Sequence, residues 1–463
     1  MKTIKIKLLF ILLCVSSLVM GQVNVYSIKL SEGVEIQPDP VVEYKAQEIP
    51  QANSIIVFYP DIEFQEIEGI GGAFNEIGGL ALMSLPESQR WKVMTNLFGK
   101  DHAHFSFCRT SVGASDFATG SYSYSEKVGD YDMEEFSVER ERKSVIPYIK
   151  MAYSINPHLK MMASPWSPPG WMKYSGLMEK GLSMAEKNKL KDDPETYKAY
   201  ARYFRKYIQA YREEGICIDR LVVQNEPDLD VDYPSCKMPV PQMFNFISNY
   251  LRPEFKQNNI GTEIWAGTFR SMGASLYALE FVNDSRYLEA VDGIGIQYTS
   301  PQYINDMNQL MKQKAKMHTE CVCHDGSNNN LQAFSRLDEI AGYLNYGIPN
   351  FMYWNMILDH TAQSGWGWKQ NSLINIDVQK GTVKYNPDYA VFYLFSKYMR
   401  PKSKRIASYS NETIISIKYK DKVRFFVKND KTDDKTYILR QNGKNDVTVT
   451  VPSESISVIE YLL

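Results

Sequence analysis

Eight short apolar runs punctuate the chain after its first sixty residues, and most lead into a stretch whose apolar positions recur every three or four residues. They are Glu63–Gly72, His104–Ser111, Leu159–Trp166, Arg220–Glu226, Thr262–Phe269, Val291–Tyr298, Ala315–Glu320 and Asn350–Asn355. Runs of this length, bounded by breakers, read as strands covered on both faces. The stretches between carry helix punctuation. Asp193 stands as a cap, Pro194 takes the first helical position and Gly215 is the stop, and Pro86 and Gly99 frame a second helix in the same way. Eight strands alternating with helices predict an α/β fold, a (β/α)8 TIM barrel. The two ends differ in texture. Residues 22–60 and 402–463 alternate apolar with polar positions between Asn, Asp and Gly turns, which predicts antiparallel strands. We therefore expect a small β-sandwich built from both chain termini, with 22–60 and 401–463 in the sandwich and 61–400 in the barrel.

The first residues follow another pattern. Lys2, Lys5 and Lys7 precede an apolar stretch from Leu8 to Met20 that ends at Gly21. This is the layout of a signal peptide over residues 1–21, too short for a confident membrane span. Cys14 lacks the small residues before it that a lipoprotein cleavage site needs, so export to periplasm or medium is expected, without an anchor. Five cysteines would remain in the exported chain, an odd number that implies no disulfide framework in a protein of 463 residues. The formal net charge of −2 excludes a nucleic-acid partner attracted by bulk electrostatics.

In a barrel of this kind, acting residues sit where strands end at the C-terminal face. Glu226 closes the fourth run within Asn225-Glu226-Pro227, and Glu320 closes the seventh. Neither signal is strong alone. Asn-Glu-Pro arises by chance in about one chain in fifteen to twenty of this length, and a lone Glu320 reads as a surface acid. Paired across one pocket, they match the need of a glycosidic bond: one carboxyl to protonate the leaving oxygen, a second to support the oxocarbenium-like transition state. Trp166, Tyr298 and Trp354 end the third, sixth and eighth runs, where rings can cover the apolar face of a sugar.

Six segments add to this: EGIGGAFNE, FCRTSVGASDF, ASPWSPPGWMK, VVQNEP, HTEC and YWNMILD. In this order they resemble glycoside hydrolase family 30, the glucosylceramidase and β-1,6-glucanase family, from about residue 65 to the end. The resemblance implies a (β/α)8 barrel with a two-terminus β-sandwich and a retaining mechanism. It implies Glu226 as acid/base, Glu320 as nucleophile and Asn225 as the partner of the sugar 2-hydroxyl. It also implies Glu76 as an acid gripping sugar hydroxyls, Arg109 as support for the nucleophile, and Trp166 and Trp354 as walls of the subsite. Two departures stand out. Gln297-Tyr298-Thr299 replaces the His-Trp-Tyr of glucosylceramidase-like members, which leaves the expected phenol missing or shifted one place. After the eighth strand, Trp366 and Trp368 offer an extra stacking platform.

The reading that results is a secreted retaining β-glycosidase acting on β-glucosidic linkages, with β-1,6-glucan preferred. Xylosyl, fucosyl, galactosyl or glucosylceramide substrates are the alternatives within the family. A non-catalytic glycan-binding protein is the alternative from another class, and the presence of both carboxylates argues against it. Cys321, Cys323 and His324 lie close together, yet no second Cys/His cluster completes a four-ligand set. No metal and no cofactor are expected. An oligo- or polysaccharide is the expected partner of a monomer, with no stable membrane association.

Overall fold

A computed structural model describes residues 23–33, 42–43, 54–180, 187–271, 276–311 and 314–463. The leader read from residues 1–21 lies outside them. Eight parallel strands form the barrel: β1 Gly69–Phe74, β2 Phe107–Ser111, β3 Lys160–Ser164, β4 Arg220–Val222, β5 Glu263–Phe269, β6 Gly293–Gln297, β7 Ala315–Glu320 and β8 Asn350–Tyr353. From β1 to β7 each strand pairs with the next, and β8 pairs with β1. The anticipated helix runs from Pro194 to Glu213, with the Asp193 side chain accepting from the Thr196 N–H at 2.9 Å. Phe107, Met162, Val222, Trp265, Met317 and Met352 fill the interior as one apolar layer. Below it Arg220 spans the rings of Phe107 and Trp265 and pairs with Glu68 and Glu263.

The first run needs correcting. Glu63–Glu66 does not enter the barrel but ends a long strand, Ser54–Glu66, that pairs with Lys404–Tyr409 in the other sheet. The barrel strand starts only at Gly69. Its glycines answer to close packing: a Cβ on Gly71 would lie 2.2 Å from the Phe107 carbonyl oxygen. Among the described residues the second sheet has nine strands, drawn from residues 23–66 and 404–462, so both termini build it. Val25, Phe58, Phe425, Tyr437, Val451 and Ile459 are among the residues of its enclosed core. Among the described residues, no helix is long and apolar enough to cross a membrane.

The barrel closes in an unusual way. Among the described residues β7 and β8 share no backbone ladder. Side chains bridge the seam instead. The buried Asn350 amide imitates a peptide group, accepting from the His318 N–H at 3.0 Å and donating to the His318 carbonyl at 2.8 Å. His318 Nδ1 accepts the Met352 N–H at 3.0 Å, and its ring stacks on Phe351 at 3.9 Å. Burial and the charges of Arg336 and Arg109 keep this imidazole neutral. Asn350→Leu keeps the volume but orphans a buried N–H and a buried carbonyl two residues from Glu320. It should lower stability by about 2–5 kcal/mol, read as a fall in the midpoint of urea unfolding at unchanged slope.

Candidate active site

The fourth strand stops at Val222, earlier than the apolar run suggests, and the chain beyond it is held by cross-strand bonds. Asn225 donates its N–H to Pro165 at 2.8 Å, and the Gln224 carbonyl accepts from Thr268 at the same distance. Glu226 then takes φ +41°, a left-handed conformation that is costly for a residue with a Cβ. Pro227 prevents the strand from continuing. The carboxyl is thereby turned into the barrel mouth, opposite Glu320 at the end of β7. Both are buried.

Arg109, on β2 and wholly buried, organises the floor. It bonds Glu320 Oε2 at 2.7 Å, the Thr319 carbonyl at 3.0 Å, Ser164 Oγ at 2.8 Å and Asn225 Oδ1 at 2.7 Å. Asn225 Oδ1 also accepts from Thr268 Oγ1 at 2.9 Å, so its two lone pairs are used and Nδ2 is left as the donor. Trp166 and Trp354 stack on each other at 4.8 Å, with the guanidinium 4.6 and 5.4 Å from their ring centres. Tyr298 takes φ +48° at the end of β6 and donates its hydroxyl to Glu320 Oε1. The phenol is thus shifted in sequence but present in space, because the left-handed turn swings the side chain back across the mouth.

The two carboxyls have unequal surroundings. Burial, then the charge of Glu320, pushes the Glu226 carboxyl up to about 8, against the pull of Arg270. Burial also raises Glu320, but Arg109 and the Tyr298 hydroxyl oppose it. Since only Glu320 has a buried cation at 2.7 Å, the negative charge of the pair resides there and the proton on Glu226. A third acid joins them. Asp116 is buried and lifted well above the usual carboxylate range, first by burial and then by the charges of Glu320 and Glu226. Its Oδ1 and Trp354 Nε1 make no close hydrogen bond among the described residues, although the indole N–H lies near enough to the carboxyl to favour its charged form.

Asp116 went unremarked in the sequence, although it lies within FCRTSVGASDF. Glu76, the acid singled out there, is occupied elsewhere. Its carboxylate pairs with Arg140 at 2.8 Å and accepts from the Thr119 N–H and hydroxyl at 2.8 and 3.0 Å. Glu76 shapes the loop that carries Asp116, and Asp116 is the acid facing the pair. Trp368 packs against Tyr233 at 4.9 Å, and the Tyr233 hydroxyl is raised by burial and by the charges of all three acids. Trp366 sits next to Gly365, whose added Cβ would lie 2.1 Å from the Ala118 carbonyl, so its loop lies flush against the Asp116 loop. Trp366 and Trp368 are half-buried. Cys321 and Cys323 lie buried with sulfurs 3.7 Å apart, both free thiols, and no cluster of three metal-ligating side chains occurs among the described residues.

Residues 67–399 match the glycosyl hydrolase family 30 TIM-barrel domain. The chain belongs to this family. Putative glucosylceramidase 3 of Caenorhabditis elegans is 28% identical over 78% of this chain and 72% of its own length. The endo-1,6-β-D-glucanase of Trichoderma harzianum is 31% identical over 44% of this chain and 43% of its own. In fold, the crystal structure of SrfJ from Salmonella typhimurium aligns with a TM-score of 0.86, at 23% identity, over 96% of this chain and all of that one. As a family 30 member the chain is a glycosyl hydrolase, a β-glycosidase with a carbohydrate substrate.

Proposed function

We propose that this family 30 chain is a secreted retaining β-glycosidase that hydrolyses β-glucosidic linkages, preferably in β-1,6-glucan, by double displacement. The observation that carries this reading is the asymmetry of the carboxyl pair: Glu320 clamped by Arg109 at 2.7 Å and by Tyr298, and Glu226 lifted to about 8 without such a clamp. Two carboxyls whose surroundings drive their proton affinities apart are suited to opposite roles. Glu320 attacks the anomeric carbon as its bond to the leaving oxygen breaks, and Glu226 gives that oxygen its proton. Glu226 then takes a proton from water, whose oxygen displaces Glu320 from the same carbon and restores the β configuration. Asn225 Nδ2 serves the 2-hydroxyl. Asp116 and the Trp354 N–H serve hydroxyls further around the ring.

Support for a glucan comes from the named glucanase relative and from aromatic area beyond the first sugar. Trp368 braced on Tyr233, with Trp366 beside the Asp116 loop, forms a platform suited to a chain of sugars. Export rests on the leader pattern ending at Gly21. A panel of defined β-linked oligosaccharides with analysis of the products tests the substrate. Cleavage of β-1,6-linked glucose oligomers is the expected result. Activity confined to xylo- or galacto-oligosaccharides would exclude the glucan.

A further inference from the structure

A second cavity of about 510 Å³ opens between the loop after β2 and the loop after β3, walled by Ser121, Glu126 and Val128 on one side and by Lys191 and residues between Gly170 and Glu179 on the other. Its walls lie close to the carboxyl pocket. Gly170 follows Trp166 by four residues and Ser121 follows Asp116 by five, so these wall residues lie within about 14 and 18 Å of two residues of the carboxyl pocket. A short oligosaccharide spans that distance.

The cavity is built rather than incidental. Trp171 donates its indole N–H to the Ser125 carbonyl at 3.0 Å, and Ser121 donates its hydroxyl to Glu179, so the two loops are tied across the gap. Lys173, buried, donates to the Met178 and Ser235 carbonyls at 2.7 Å each, which fastens the β3 loop to the β4 loop. On this frame three large apolar side chains stay in water: Val128 at 81%, Tyr174 at 52% and Leu177 at 48% exposure. Exposed apolar groups gathered at one concavity mark a binding surface. The Tyr174 hydroxyl accepts the Asp192 N–H at 3.0 Å, which fixes the ring's polar edge and leaves the ring about half-exposed.

We propose that this cavity is a distal sugar subsite, in which Tyr174 stacks on a residue of the same glycan chain whose scissile bond lies between Glu226 and Glu320. The proposal rests on the β-glycosidase reading above and extends it to a residue outside the carboxyl pocket. Carbohydrate fits better than an acyl chain. Glu126, Glu179 and Lys191 line the cavity together with the apolar groups, and an acyl chain would strip water from them without replacing its hydrogen bonds. A pyranose brings an apolar face for Tyr174 and hydroxyls for the charged groups.

The test is kcat/KM for an aryl monoglucoside, for alkyl glucosides of increasing tail length, and for two- to five-sugar oligomers of several β-linked backbones. Wild type and Tyr174→Ala are compared. On whichever backbone is cleaved, wild type should gain with length, and Tyr174→Ala should lose about fivefold to tenfold on the longest oligomer. The aryl monoglucoside should be cleaved equally by both, and Tyr174→Phe, which keeps the ring, should retain most of the gain. The subsite is refuted by any of four results: no gain with length, a gain that survives Tyr174→Ala, equal loss in Tyr174→Phe, or equal loss on the aryl monoglucoside. A Tyr174-dependent gain with alkyl tail instead of sugar number would also refute it. Which backbone shows activity tests the substrate reading, and the length dependence tests the subsite, so either can fail without the other.

Discussion

Glu320→Gln should cut turnover of an aryl β-glucoside by about 10⁴ to 10⁶, because the amide can neither attack the anomeric carbon nor carry the charge that Arg109 complements. The substitution keeps the shape of the side chain, and Arg109 retains its bonds to Ser164, Asn225 and the Thr319 carbonyl. Fold is therefore expected to survive, and circular dichroism with thermal unfolding checks it. A second consequence separates loss of a nucleophile from general damage. The charge of Glu320 is the second cause, after burial, of the raised Glu226 carboxyl. Removing it should move the Glu226 titration to lower pH, followed by NMR of a protein with carbon-13 in its glutamate carboxyls. If Glu320→Gln keeps more than about a hundredth of wild-type turnover, the assignment of Glu320 is refuted.

Glu226→Ala should show the complementary pattern. Substrates with poor leaving groups should slow by about 10² to 10⁴, while an aryl glucoside whose phenol leaves without a proton should still form the glycosyl-enzyme. The intermediate then waits, since no base activates water. Azide, which needs no base, should restore turnover and yield a β-glycosyl azide. An α-azide would contradict retention. The pH profile gives an independent check. Because the Glu226 carboxyl is raised to about 8, its proton is held below that pH and lost as pH rises through it. Wild-type kcat/KM should fall on the alkaline side near pH 8, and Glu226→Ala should lack that limb.

How much of this was legible beforehand depends on how local each feature is. The helix from Pro194 is announced by Asp193 and Pro194, because capping and proline act within one turn. The two catalytic candidates are visible for a related reason: an apolar run ending on Glu, with Pro227 to block continuation, leaves its carboxyl at a barrel rim whatever else the chain does. The first strand is the case where local pattern misleads. Glu63–Gly72 is one run in sequence, yet its halves pair with different sheets, and only partners more than three hundred residues away at Lys404–Tyr409 separate them.

What the amino-acid sequence determined by itself is the alternation of strand and helix, the sandwich texture of both ends, and the placing of Glu320 at the end of a strand and of Glu226 just beyond one, all set by neighbours a few residues apart. Tertiary structure alone decided the rest. Glu76 and Asp116 look equally available in the chain, but Arg140 and Thr119 arrive to neutralise the first, while burial beside two other acids leaves the second facing the pocket. Tyr298 reaches Glu320 only because a left-handed turn redirects it, and the seam at Asn350 exists only once β7 and β8 meet without a ladder. Proton affinity follows the same rule. A carboxyl's preference for its proton is set by the water it loses and the charges it meets, and both are properties of the folded surroundings.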